Sequence, residues 1–201
     1  EETLQEYSHI KIIHADVMKL DLGALIKEEF SGMDVCVCAN LPYYITSPII
    51  MMLLEQRLPI KWITVMVQKE AAIRLCAKPG TRDCGAVTFA VRYYSHPKQL
   101  FPVSKGSFLP APKVDSAVIQ LEVKSQSEYT VENESFLFAL VKAAFSQRRK
   151  TLVNPVSSVL KIPKKTVALA LENCDLKPIV RAEEVTFEQF LQLSNELFKL
   201  K

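Results

Sequence analysis

The sequence predicts an α/β domain with a doubly wound sheet, followed by a smaller all-helical domain. Three observations carry that expectation. Short runs dense in β-branched and aromatic residues alternate with segments of helical spacing from Ile10 to Ala77. Hydrophobic residues fill 49% of the 201 positions, enough for a sizeable core in one domain or two small ones. After the polar stretch Ser125–Asn133 the strand pattern stops and only helical patterns follow. That change places a boundary near Ser125, with residues 1–124 and 125–201 on its two sides.

Taken in order, Thr3–Tyr7 reads as the tail of a helix, and Ile10–His14 as a short strand ending at Ala15-Asp16. Leu20–Phe30 has helical spacing and closes at Ser31-Gly32. Met33–Ala39 is an apolar run that reads as a buried strand. A helix follows from Pro48 to Gln56, with Thr46 or Ser47 as its cap and Pro48 in first position. Pro59–Val67 is the next strand, and Gln68–Ala77 a helix ended by Lys78-Pro79-Gly80. Ala86–Tyr94 is ambiguous in pattern, but Ala86, Phe89, Ala90 and Tyr93 fit a helical stripe, which favours a helix. Gln99–Val103 and Ser116–Val123 read as strands around a proline-punctuated loop, Phe108–Asp115. Four helices close the chain, over Glu134–Arg148, Pro155–Leu160, Pro163–Asn173 and Thr186–Leu200.

Composition excludes several classes. No apolar run is long enough for a transmembrane helix, and the acidic start Glu1–Glu6 is unlike a secretion signal. The five cysteines and three histidines show no metal-ligand spacing, so no metal is expected. Cys36 and Cys38 point to one face of a predicted strand and read as buried thiols in a reducing, cytoplasmic setting. Net charge is only +3, too little to announce nucleic-acid binding, but its distribution is uneven.

The stretch around which the chain is organised is Asn40-Leu41-Pro42-Tyr43, where a strand feeds a helix. In open α/β sheets that is where ligands bind. Asn40 offers a side-chain carbonyl, Pro42 a carbonyl on a residue with no N–H, and Tyr43 a flat π-face. Together they suit gripping an exocyclic amino group while stacking on the ring that bears it. The same four residues also read as a strand-to-helix turn with a half-buried tyrosine. Tyr44 reads as a packing residue, with a second wall of the site as the alternative. Asp16 has a comparable ambiguity, as a turn cap at a strand end or as a ligand-binding carboxylate.

Asn40–Tyr43 continued by Tyr44-Ile45-Thr46-Ser47-Pro48-Ile49-Ile50 resembles the target-base motif of the ribosomal RNA adenine N6,N6-dimethyltransferases of the KsgA type. Further blocks agree in order. They are Met66–Leu75 with Pro79-Gly80-Thr81, the loop residues Phe108, Pro110, Pro112 and Val114–Ser116, and the basic run Ala144–Leu152. The resemblance implies a Rossmann-like fold and methyl transfer from S-adenosylmethionine to adenine N6, twice per base, on two adjacent adenosines of small-subunit rRNA. It also implies a role in maturation of the small ribosomal subunit, by a monomer. By resemblance Asp16 accepts from the amino group of the cofactor's adenine, Val17 packs beside that ring, and Asn40 lies near the sulfonium. Two acceptors, the Asn40 side-chain oxygen and the Pro42 carbonyl, favour the pyramidal nitrogen that attacks. Tyr43 and Phe108 then sandwich a flipped base, although Phe108 also reads as a core aromatic anchoring its loop.

One departure accompanies the resemblance. The family opens with a glycine-rich loop, and the five glycines here, Gly23, Gly32, Gly80, Gly85 and Gly106, form no such cluster. The chain is therefore expected to lack at least one βαβ unit of ~30 or more residues. That leaves a gap beside the Met33–Ala39 strand, and the activity is expected of the intact protein. Rival readings are the related large-subunit rRNA adenine methyltransferase of macrolide resistance, whose motif usually carries Ile at the place of Leu41, a non-catalytic ribosome-assembly or RNA-binding factor, and a mitochondrial transcription-factor relative. RNA contact is expected from the helical end. Ser135–Leu171 contains no Asp or Glu but holds Lys142, Arg148, Arg149, Lys150, Lys161, Lys164 and Lys165, which reads as a phosphate-neutralising surface or as a solvated helix face.

Overall fold

The computed structural model describes residues 7–125 and 128–201, so the predicted helix tail at Thr3–Glu6 lies outside the described residues. Four strands form one sheet, β1 (Val35–Asn40), β2 (Ile60–Gln68), β3 (Ser95–Val103) and β4 (Ser116–Val123), in the order β1-β2-β4-β3. β1 and β2 are parallel, joined by the crossover helix α2 (Thr46–Glu55), which follows α1 (Leu22–Glu29). β2–β4 and β4–β3 are antiparallel, so the sheet is mixed among the described residues. Helices α3 (Lys69–Cys76) and α4 (Ala86–Tyr94) connect β2 to β3. The C-terminal helices are α5 (Glu134–Phe145), α6 (Val153–Leu160), α7 (Lys164–Asn173) and α8 (Phe187–Leu200).

The central strands bury one face of the sheet, and the alternate residues on the other face, Trp62, Thr64 and Met66 of β2 and Gln120 of β4, are only partly covered among the described residues. Ile63, Val65 and Val67 of β2 and Ala117, Ile119 and Leu121 of β4 are buried, with Ile50 and Leu54 of α2 against them. The core does not stop at Ser125. Phe89 of α4 stacks on Phe187 with ring centroids 4.5 Å apart and meets Phe190 edge-on at 5.4 Å. Glu134, at the start of α5, accepts from Arg57 Nη2 at 2.6 Å and from the hydroxyls of Tyr93 and Tyr94 at 3.1 and 2.8 Å. Burial, reinforced by the Glu134 carboxylate, raises the Tyr94 phenol above its ordinary pKa.

Several expectations are corrected. Ile10–His14 is not a strand, because no strand pairs with it among the described residues, and Ile10, Ile12 and Ile13 are exposed. Cys36 and Cys38 are exposed rather than buried. The opposite face of β1, with Val35, Val37 and Ala39, packs on the core, and among the described residues β1 pairs with β2 alone. α2 begins two residues before Pro48, without a side-chain cap at Ile45. Proline is tolerated throughout that first turn because its N–H would be unpaired anyway. β3 starts at Ser95, four residues earlier than predicted, taking in His96 and Pro97. As an edge strand it accepts prolines that argue against a strand in a local reading. α5 ends at Phe145, so Arg148-Arg149-Lys150 lies in the following turn rather than in the helix.

Candidate active site

β1 delivers Asn40 to its carboxyl end, in register with Met66 of β2. The Leu41 N–H adds one more bond, to the Met66 carbonyl at 3.3 Å, and Leu41 is buried. The chain then turns. The Pro42 carbonyl accepts from the Ile45 N–H at 3.2 Å and from the Thr46 hydroxyl at 3.1 Å, which folds the turn onto the start of α2. Asn40 stays exposed and Tyr43 is half-buried, its phenolic oxygen 2.8 Å from Ser116 Oγ. Tyr44 is 84% exposed, which overturns the packing reading, since its side chain has no neighbour to bury it.

The facing wall is the loop after β3. Ser104 caps a 3-10 turn at Lys105–Ser107, and Phe108 follows, half-buried. Asp115 closes the loop, accepting through Oδ1 from the Lys105 N–H and through its carbonyl from the Lys69 N–H, both at 3.0 Å. Asn40, Leu41, Pro42 and Tyr43 on one side and Phe108, Pro110 and Pro112 on the other enclose about 310 Å³. That volume sits at the low end of small-molecule sites, which span about 300–1,000 Å³. Phe108 therefore stands beside the motif, 68 residues away in sequence, as a wall would.

Asp16 performs the capping role. Its Oδ1 accepts from the Met18 N–H at 3.0 Å at the start of the 3-10 turn Val17–Lys19, and Lys19 Nζ stands 3.9 Å from Oδ2. The carboxylate remains exposed, and Val17 is half-buried against the core. An open carboxylate oxygen, an acceptor, beside an apolar side chain fits an adenine amino group, which donates, and its ring.

The basic residues divide. Arg148 is engaged: Nη2 donates to the carbonyls of Arg82 at 2.8 Å and Cys84 at 2.9 Å, with Glu183 Oε2 3.9 Å away. Arg149 and Lys150 are exposed in the turn beyond α5. Lys142 lies apart from them, lining a larger, mostly apolar cleft of about 680 Å³ between α2, α4 and α5. Sequence reasoning named Thr46 as a cap and Asp115-Ser116 as part of the loop block, but not the bonds they make to Pro42, to Lys105 and to Tyr43. A small polar residue at the first position of a β-run, directly after the proline loop, was the available signal for the last of these.

This fold, with a strand-end turn facing an aromatic loop, is that of a Rossmann-like methyltransferase. A dimethyladenosine transferase from Plasmodium falciparum has the same architecture, with a TM-score of 0.77 and 29% identity over 98% of this chain and 76% of that one. The 23S rRNA methyltransferase ErmE matches in fold, with a TM-score of 0.70 and 22% identity over 98% of this chain and 75% of that one. The family model described as ribosomal RNA adenine dimethylase matches residues 1–199. Proteins named ribosomal RNA small subunit methyltransferase A are 48% identical in Geobacillus sp. (strain WCH70) and 47% identical in Alkaliphilus oremlandii (strain OhILAs). Each match covers 98% of this chain and 69% of the relative. The chain belongs to the ribosomal RNA adenine dimethylase family.

Proposed function

We propose that the protein transfers methyl groups from S-adenosylmethionine to N6 of two adjacent adenosines in small-subunit rRNA, acting as a monomer on the maturing small subunit in the cytoplasm. The observation that carries the reading is the juxtaposition of the Asn40–Tyr43 turn and Phe108 around one small pocket. Residues 1–124 supply the catalytic part and residues 125–201 the RNA-binding part. The large-subunit alternative is not favoured, because the small-subunit enzymes are the relatives with high identity along the chain.

S-adenosylmethionine supplies an electrophilic methyl group when bound. This chain holds it through Asp16 and Val17 at the adenine and through Asn40 near the reacting end. The adenine amino group is a poor nucleophile because its lone pair is delocalised into the ring. An acceptor aimed at an N6 hydrogen favours the pyramidal nitrogen, and the Asn40 side-chain oxygen takes that role. The Pro42 carbonyl already accepts from Ile45 and Thr46, which argues against it as the second acceptor. That role falls to the Leu41 carbonyl, which has no donor among the described residues. Tyr43 and Phe108 hold the flipped base between their rings. Arg149 and Lys150, free of the contacts that occupy Arg148, neutralise RNA phosphates.

Asn40→Ala in the full-length protein tests the site. Methyl incorporation into small-subunit rRNA is expected to fall on the order of 100-fold or more, as when one preorganised polar contact to a transition state is removed. RNA binding stays within about twofold in a filter assay. Undiminished methylation overturns the assignment.

A further inference from the structure

Adjacent tyrosines at the pocket have opposite fates. Tyr44 is 84% exposed, whereas the Tyr43 hydroxyl lies 2.8 Å from Ser116 Oγ. Ser116 has no exposed surface and is the first residue of β4, in register with Gln68 of β2 on one side and Val103 of β3 on the other. The preceding residue, Asp115, fixes the loop bearing Phe108 through the Lys105 and Lys69 N–H groups. The Tyr43 wall is tied to β2 as well, through the Leu41 N–H and the Met66 carbonyl. Both aromatic walls are therefore referenced to the end of β2.

We infer, resting on the function proposed above, that Ser116 is a positioning residue whose hydroxyl holds the Tyr43 ring opposite Phe108, and that this hold governs the second methyl transfer to a base more than the first. In each transfer the N6–CH3 bond forms as the sulfonium S–CH3 bond breaks, the bonding pair stays on sulfur, and one N6 proton leaves to water. Before the first transfer N6 carries two hydrogens, one for the Asn40 side-chain oxygen and one for the Leu41 carbonyl. Before the second it carries one hydrogen and a methyl group. One directional contact has gone, and orientation of the base then depends on the ring sandwich. A Tyr43 ring released from Ser116 swings toward solvent as Tyr44 does, and the singly methylated base loses the wall that orients it.

The test compares full-length wild-type protein, Ser116→Ala, Tyr43→Phe and the double variant on small-subunit rRNA particles, with N6-monomethyl- and N6,N6-dimethyladenosine quantified by nucleoside mass spectrometry. Each single variant is expected to lower kcat on the order of fivefold, the size of one lost hydrogen bond. Each also raises the proportion of monomethylated product several-fold, and the double variant is no worse than either single. If Ser116→Ala fails to fold, Tyr43→Phe breaks the same bond from the half-exposed side and is read alone. An unchanged product ratio, or losses that simply add in the double variant, overturns the inference. Asn40→Ala separates the two claims: an inactive Asn40→Ala with a normal product ratio in Tyr43→Phe removes only the role of Ser116, whereas an active Asn40→Ala removes the site itself.

Discussion

The Asn40–Tyr43 turn and the Asp16–Lys19 turn both follow short apolar, β-branched runs, yet they are built differently. The run before Asn40 is laddered to β2 along its whole length, and its turn is tied at Met66, Thr46 and Ser116. The run before Asp16 pairs with no strand among the described residues, and its turn is held by local bonds alone, from the Met18 N–H to the Asp16 carboxylate and from the Lys19 N–H to the Asp16 carbonyl. The difference teaches that a β-branched run is only a capacity for pairing. A neighbour with free N–H and C=O groups converts it into a strand, and with the strand comes a turn stiff enough to position chemistry.

That contrast can be broken or sharpened by mutation in the full-length protein. After Asn40→Ala, the largest effect is expected from Phe108→Ala. Base–aromatic stacking is worth about 1–3 kcal/mol, so kcat/KM on rRNA falls by roughly 5- to 150-fold. Affinity for S-adenosylmethionine, measured by calorimetry, stays unchanged. Asp16→Ala should do the reverse at comparable scale. Losing a hydrogen bond to a charged group, about 1.5–3 kcal/mol, weakens cofactor binding on the order of tenfold or more and leaves RNA affinity intact. If either variant moves both affinities together, the two turns do not serve separate ligands and the contrast fails.

The smallest effects lie in the basic turn. Arg149→Ala is expected to flatten the dependence of log K on log salt by about one, the signature of one lost phosphate contact. Arg148→Ala acts through structure. Without its bonds to the Arg82 and Cys84 carbonyls, amides of the Thr81–Gly85 loop exchange hydrogen faster even in the absence of RNA. Unchanged exchange there would mean that Arg148, like Arg149, serves the RNA alone.

The sequence by itself placed β2, β4 and α4 nearly to the residue, because burial of alternate residues on one face of a strand, or of one stripe of a helix, leaves a periodic trace in the residue types. It determined the Asn40 turn for the same reason, since an amide and a proline interrupt an apolar run. Tertiary structure alone decided the rest. Whether Ile10–His14 pairs depends on a neighbouring strand. Whether Cys36 and Cys38 are covered depends on what packs over one face of β1. Arg148 is committed by two carbonyls more than 60 residues away in the chain. Tyr43 differs from Tyr44 because a buried serine from β4 meets one hydroxyl and not the other. Local propensity records what a residue can do, and hydrogen-bond partners brought from distant segments select which of those options is used.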